Sequence, residues 1–221
     1  MTRLGNFLAS SVGKKIVLGL TGLLLVGFLF AHLKGNLTLV EDPSGEHFDE
    51  YVAFLQGFGP LLLAAEVALA LLFCAHIYLA LRLTQENWQA RKLGYVLRSS
   101  RGASSVGSVS MFYSGALLLG FLIKHLLDFR FAGDFLDAPA AKVYAHLRSP
   151  GNAAVYVLAA LVVGLHLSHG FRSAFQSLGL NHPGWNPWLE KLGKLVALVL
   201  ALGFALIPLY ILVLWSSGAS Q

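Results

Sequence analysis

Gly22-Leu-Leu-Leu-Val-Gly27-Phe28-Leu-Phe-Ala-His32-Leu33 aligns without a gap on Gly115-Ala-Leu-Leu-Leu-Gly120-Phe121-Leu-Ile-Lys-His125-Leu126. Leucine matches carry little weight in apolar sequence, but two coincident glycines, a phenylalanine and a histidine do, so the chain reads as two helical hairpins plus an extra helix. Each segment lies in a stretch with almost no charge. Five such stretches occur, at approximately 16–40, 58–81, 106–127, 153–171 and 195–215. At about 20 residues each can cross a ~30 Å hydrocarbon core as a helix. The expected fold is an all-α integral membrane bundle of five transmembrane helices, one membrane domain over residues 1–221.

Composition agrees. Hydrophobic residues make up 56% of the chain and charged residues 12%, about half the charge fraction of a soluble protein, which excludes a soluble globule. Cys74 is the one cysteine, so an intramolecular disulfide or a Cys-based zinc or iron-sulfur site is excluded. The net charge of +5 comes from basic residues in short loops, where they set membrane orientation rather than bind nucleic acid.

Lys14 and Lys15 before an apolar run resemble the start of a secretory signal, but no small-x-small cleavage site follows, so the run is read as a retained span. Eleven Lys and Arg residues fall on the side of Arg3, Lys14 and Lys15. Five (Lys34, Lys124, Arg130, Lys142 and Arg148) fall on the other. The positive-inside rule places the N-terminus in the cytoplasm and the C-terminus outside. Pro60 opens the second span, Pro150 precedes the fourth, and Pro208 is expected to kink the fifth.

Five of the eight histidines, His32, His76, His125, His166 and His169, lie within apolar spans. Ionisable groups there face the bundle interior and need partners. His32 and His125 fall 15 to 16 residues past the cytoplasmic starts of spans one and three, roughly 22 to 24 Å up and thus near the outer side. Spans two and four run the other way, so His76 and His166 lie near the inner side. Two imidazoles facing each other at each level suit bis-histidine haem iron. Zinc wants three or four ligands in one place. The spacing from His76 to Arg82 repeats from His166 to Arg172, which favours His166 over His169 as the inner ligand. His169 is the runner-up.

Eleven residues is about three turns, so Thr21 lies beneath His32 and Ser114 beneath His125, small side chains that leave room for a macrocycle at the other level. Arg82, Arg91 and Arg172 cluster at the inner end, as topology determinants and as candidate partners for haem propionates. Glu66 is the one carboxylate well inside a span. It reads either as a quinone or proton contact or as an acid snorkelling in a wet cavity.

These features resemble the dihaem cytochrome b membrane anchor of succinate:quinone oxidoreductases and quinol:fumarate reductases, the type with five helices in one polypeptide. The resemblance covers nearly the whole chain. It rests on Ser11-Val-Gly-Lys-Lys15, His32-Leu-Lys-Gly-Asn-Leu37, Asn87-x-x-Ala90-Arg91-x-x-x-Tyr95, His125-Leu-Leu-Asp128-Phe129 and His166-x-x-x-Gly170-x-Arg172. It implies two haem b groups, an outer one on His32 and His125 and an inner one on His76 and His166. It also implies a quinone substrate, commonly menaquinone, a multi-pass place in a prokaryotic inner (cytoplasmic) membrane, and partner subunits carrying FAD and iron-sulfur clusters. In such a complex the dicarboxylate site is on the flavoprotein subunit, and the candidate docking surface for the iron-sulfur subunit is the cytoplasmic loop from Arg82 to Gly107 together with the N-terminal segment. Some members carry a glutamate two positions before the fourth-span haem histidine; this chain has Gly164 there. The neighbouring reading is the cytochrome b anchor of a hydrogenase or formate dehydrogenase, and a more distant one is a histidine-lined, proton-coupled transporter. Higher oligomers of the complex stay open.

Overall fold

The computed structural model describes the backbone of residues 3–91 and 106–216 and the side chains of 5–89 and 110–213. The order is α1 (Arg3–Ala9), α2 (Ser11–Glu41), α3 (Glu46–Gln56), α4 (Pro60–Arg91), α5 (Val106–His125), α6 (Pro139–Leu147), α7 (Pro150–Ser177) and α8 (Asn186–Ser216). A π-helical turn, Leu126–Arg130, continues α5, and a 3₁₀ turn, Phe135–Asp137, precedes α6. The described residues contain no strand. Among the described residues five helices are long and apolar enough to cross a membrane, in α2, α4, α5 with its π-helical turn, α7 and α8.

Local signals place the starts. Ser10 caps α2, its hydroxyl oxygen accepting from the Gly13 N–H at 3.0 Å, and proline occupies the first turn of α4, α6 and α7, where a missing N–H costs nothing. The helices outrun the apolar stretches that announce them: α2 begins at Ser11 and α7 continues to Ser177. Hydropathy marks the hydrocarbon crossing, whereas helical hydrogen bonding persists into the polar interface. α8 continues through Pro208.

The packed half of the bundle is α2, α7 and α8. α7 and α8 share the most extensive contact, and α2 lies against both. Small residues let these backbones approach: a Cβ on Gly164 would sit 2.7 Å from Ala201 Cβ. That is the physical reason a glutamate has no room at this position. Leu33, Leu39, Leu200 and Ile211 anchor the apolar core.

The stretch from Phe129 to Gly151, irregular in sequence, contains an ordered helix. α6 packs on α3 across one end of the bundle, burying Phe48, Val143 and Leu147. Asp49 Oδ1 accepts from the Ala140 N–H at 2.8 Å, satisfying a free donor in the first turn of α6. The Tyr144 hydroxyl, near the end of α6, donates its one hydrogen to the Leu39 carbonyl at 3.0 Å and also lies 3.2 Å from that of Asp42. Burial, helped by the nearby Asp42 charge, pushes its phenol up to about 12. This is the capped end; α1 packs on α2 at the opposite end.

α4 and α5 behave differently. None of the apolar stretch of α4 is buried. Its main contact is α2, and the main contact of α5 is α7. Between the two pairs the bundle stands open.

Candidate functional site

A cavity of about 2430 Å³ occupies that opening, walled by α2, α4, α5 and α7 and closed by Phe204 and Ile207 of α8. Small-molecule pockets run about 300–1,000 Å³, so this one has room for more than one large group. All five intramembrane histidines line it. Two side-chain bridges span the gap between α4 and α5. Trp88 meets Phe112 edge-on at 5.2 Å at the opposite end, and Glu66 pairs with Arg130 at 2.8 Å towards the capped end.

At the opposite level, His76 of α4 and His166 of α7 both line the cavity. Each imidazole meets a buried hydroxyl from the neighbouring helix. Thr21 Oγ1 is 3.1 Å from His76 Nδ1, and Ser114 Oγ is 3.0 Å from His166 Nδ1. Both hydroxyls already donate to their own helix, Thr21 to the Leu18 carbonyl at 3.0 Å and Ser114 to the Met111 carbonyl at 3.2 Å. A hydroxyl has one hydrogen, so towards the histidines these oxygens accept. With the hydroxyl hydrogens placed on the helix carbonyls, each Nδ1 is the donor nitrogen and each Nε2 would keep its lone pair. Thr21 and Ser114 occupy equivalent positions in the internal repeat, eleven residues before His32 and His125. That spacing separates the two levels by about 16 Å.

At the capped level, the rings of His32 and His125 are 5.7 Å apart between centroids with planes at 83°. The two rings, from facing helices, are close enough that both could hold one group placed between them. The repeat reappears in the packing: Phe28 stacks on His32 at 5.4 Å and Phe121 on His125 at 5.8 Å, each one turn earlier on the same helix. Asn36 lies 3.4 Å from His32 Nδ1 through its amide nitrogen.

His125 has a more elaborate surround. The Tyr156 hydroxyl of α7 lies 3.4 Å from His125 Nδ1 and donates to Asp128 Oδ2 at 2.7 Å. The Asp128 carboxylate also receives Lys124 Nζ at 2.7 Å and faces His146 Nε2 of α6 at 3.1 Å. Asp128 reaches these partners from the π-helical turn, whose wider winding re-aims the side chains that follow His125. Its sister Arg130 turns towards Glu66 of α4.

The remaining predicted residues divide. Arg172 lines the cavity; its Nη1 donates to Glu190 of α8 at 3.0 Å while its Nε is buried without an acceptor. An oxyanion at that nitrogen would complete its hydrogen bonding. Arg82 pairs with Glu86 at 3.2 Å and is not among the lining residues. The Arg91 side chain and residues 92–105 of the expected docking loop lie outside the described residues. Glu66 lines the cavity as half of an ion pair rather than as an isolated acid. His169 is exposed on α7, whereas His166 is held by Ser114.

The roles of Thr21 and Ser114 as hydrogen-bond acceptors, and the partnership of Tyr156, Asp128 and His146, were not read from the sequence. The eleven-residue offset from the repeated histidines was the available signal for the first pair. For the second there was none, because α6 and the π-helical turn create it. Among the described residues no three His, Cys, Asp or Glu side chains converge as a metal-holding group. The chain matches no protein-family model, no curated protein and no solved structure. The fold and site thus define a class by geometry alone: a helical chain with, among the described residues, five helices fit to cross a membrane and five histidines lining one cavity between them.

Proposed function

We propose that this chain is the dihaem cytochrome b anchor of a succinate:quinone oxidoreductase or quinol:fumarate reductase. The observation that carries the reading is a set of imidazoles at two levels about 16 Å apart along one cavity, with the Nδ1 of His76 and of His166 each beside a hydroxyl of the neighbouring helix. Haem b bound at each level would supply one-electron transfer between a quinone in the bilayer and an iron-sulfur subunit.

The chain's own side chains supply the rest. His32 and His125 hold the group at the capped level, His76 and His166 the group at the opposite level. Held by two imidazoles, such a group would serve electron transfer rather than oxygen chemistry. Arg172, with its unsatisfied Nε, would receive an acidic group of the bound cofactor. Two stations divide a ~30 Å crossing into shorter steps. By the charge distribution the capped end faces outward and the arginine-rich end faces the cytoplasm, where the FAD and iron-sulfur partners dock. The quinone, menaquinone or another, reaches the complex from the bilayer, and succinate or fumarate is handled by the flavoprotein partner.

A reduced-minus-oxidised spectrum of the purified complex, with haem quantified per chain, tests this. Two b haems per chain, at least one reducible by succinate, is the expected result. A haem-loaded preparation bringing nickel or molybdenum subunits would assign the chain to a hydrogenase or formate dehydrogenase instead. A folded, colourless one would remove the cytochrome reading and leave the histidines to a transporter.

A further inference from the structure

The two levels differ in what stands behind the imidazoles, and we infer that Tyr156, backed by Asp128, is a positioning residue that fixes the tautomer of His125 and lowers the reduction potential of the capped-level centre. The inference rests on the dihaem reading and deepens it.

The direction of the hydrogen bonds makes the argument. Tyr156 has one hydroxyl hydrogen, and at 2.7 Å it goes to Asp128 Oδ2. Towards His125 Nδ1, at 3.4 Å, the phenol oxygen can only accept. The chain of donors therefore runs from His125 Nδ1–H to the Tyr156 oxygen, and from Tyr156 O–H to the Asp128 carboxylate. His125 Nε2 is left as the lone-pair nitrogen, and the carboxylate polarises the phenol, which makes the imidazole a better electron donor. A stronger donor stabilises ferric over ferrous iron.

Asp128 is suited to this because it is held. Its side chain is 13% exposed and sits between Lys124, one turn before it, and His146 of α6. The π-helical turn brings it there, and π-helical insertions concentrate where a side chain must be re-aimed for function. Nothing equivalent backs His76 or His166, whose neutral hydroxyl partners are tied to their own helices. Phe121, Phe129 and Tyr156 pack around the His125 ring, so the ring keeps its packing if only the hydroxyl is lost.

The experiment uses the purified complex with Tyr156→Phe, which removes the hydroxyl and no charge, beside Asp128→Asn. Tyr144→Phe is the control, a phenol that bonds only to backbone carbonyls. Haem content, the midpoint of each haem by redox titration and the low-spin EPR signals are recorded. In Tyr156→Phe one of two haems should move about tenfold in its reduction equilibrium towards the ferrous form, ~59 mV for a one-electron couple, with the same sign in Asp128→Asn. The other haem and the Tyr144→Phe protein should be unchanged. If wild type and Tyr156→Phe both carry two haems with identical midpoints and EPR signals, the positioning role is overturned while the dihaem reading stands. A haem-free wild type would remove the dihaem reading itself, and this inference with it.

Discussion

The two histidine levels are built from the same repeat yet supported in opposite ways. At the opposite end, α2 and α5 each contribute a hydroxyl to an imidazole on the neighbouring helix, Thr21 to His76 and Ser114 to His166. At the capped end the same two helices contribute the imidazoles themselves, each with a phenylalanine stacked one turn before it. The first level is symmetric because both supporting residues belong to the repeat. The second is not: His125 gains Tyr156 and, through it, Asp128, while His32 has Asn36. Repeated sequence therefore specifies where His32 and His125 stand, and non-repeated elements, here α6 and a π-helical turn, decide what stands behind one of them.

Replacing the ligands should break the comparison most severely. His125→Ala and His166→Ala are each expected to lower haem from two to one per chain, and to remove different haems, as distinguished by EPR and midpoint; loss of the same haem in both would mean that the pairs are wrongly drawn. Removing the supporting hydroxyls should have the next largest effect. Thr21→Val and Ser114→Ala are expected to weaken haem retention at the opposite level by about 10–100-fold, the usual range for an outer-shell partner, and to leave the capped level intact. Haem release on dilution into a haem-scavenging protein measures it.

Two further substitutions sharpen the picture with smaller effects. Arg172→Ala should weaken the same opposite-level haem by about tenfold, one charge-assisted contact, whereas Arg82→Ala, already paired with Glu86, should leave haem retention unchanged. Equal losses in the two variants would make the arginines a general field rather than a specific contact. The Glu66 to Arg130 bridge, with side chains 38% and 55% exposed, should matter least to stability. Glu66→Gln is expected to change it by less than about 1 kcal/mol, read as the thermal midpoint of the detergent-solubilised protein. A large drop would show that this pair, rather than packing, holds α4 against α5.

Much of the scaffold was legible because its signals are local. An apolar run of about 20 residues names a crossing helix, and a histidine inside such a run stands out against its composition. Counting residues from span ends separated His32 and His125 from His76 and His166. The same reasoning found Thr21 and Ser114 on the histidine faces but read them only as space-makers. The geometry adds that they orient imidazoles on the neighbouring helices, which no periodicity within one helix reports. Glu66 and Arg82 show the limit from the other side: Glu66 stood out as the one carboxylate well inside a span and Arg82 as one of an arginine cluster, and each has an ion-pair partner.

What the sequence determined by itself was the class of the molecule, the number of crossing helices and the presence of histidines at two depths, because hydropathy and helical rise act along one chain direction. The tertiary structure decided the rest. It set α7 tightly on α8 through Gly164 and Ala201, left α4 and α5 apart so that a cavity remained, and folded α6 and the π-helical turn so that Asp128 and Tyr156 came behind His125. Such choices depend on which helix faces which, a long-range matter of packing and hydrogen-bond satisfaction that no single helix encodes.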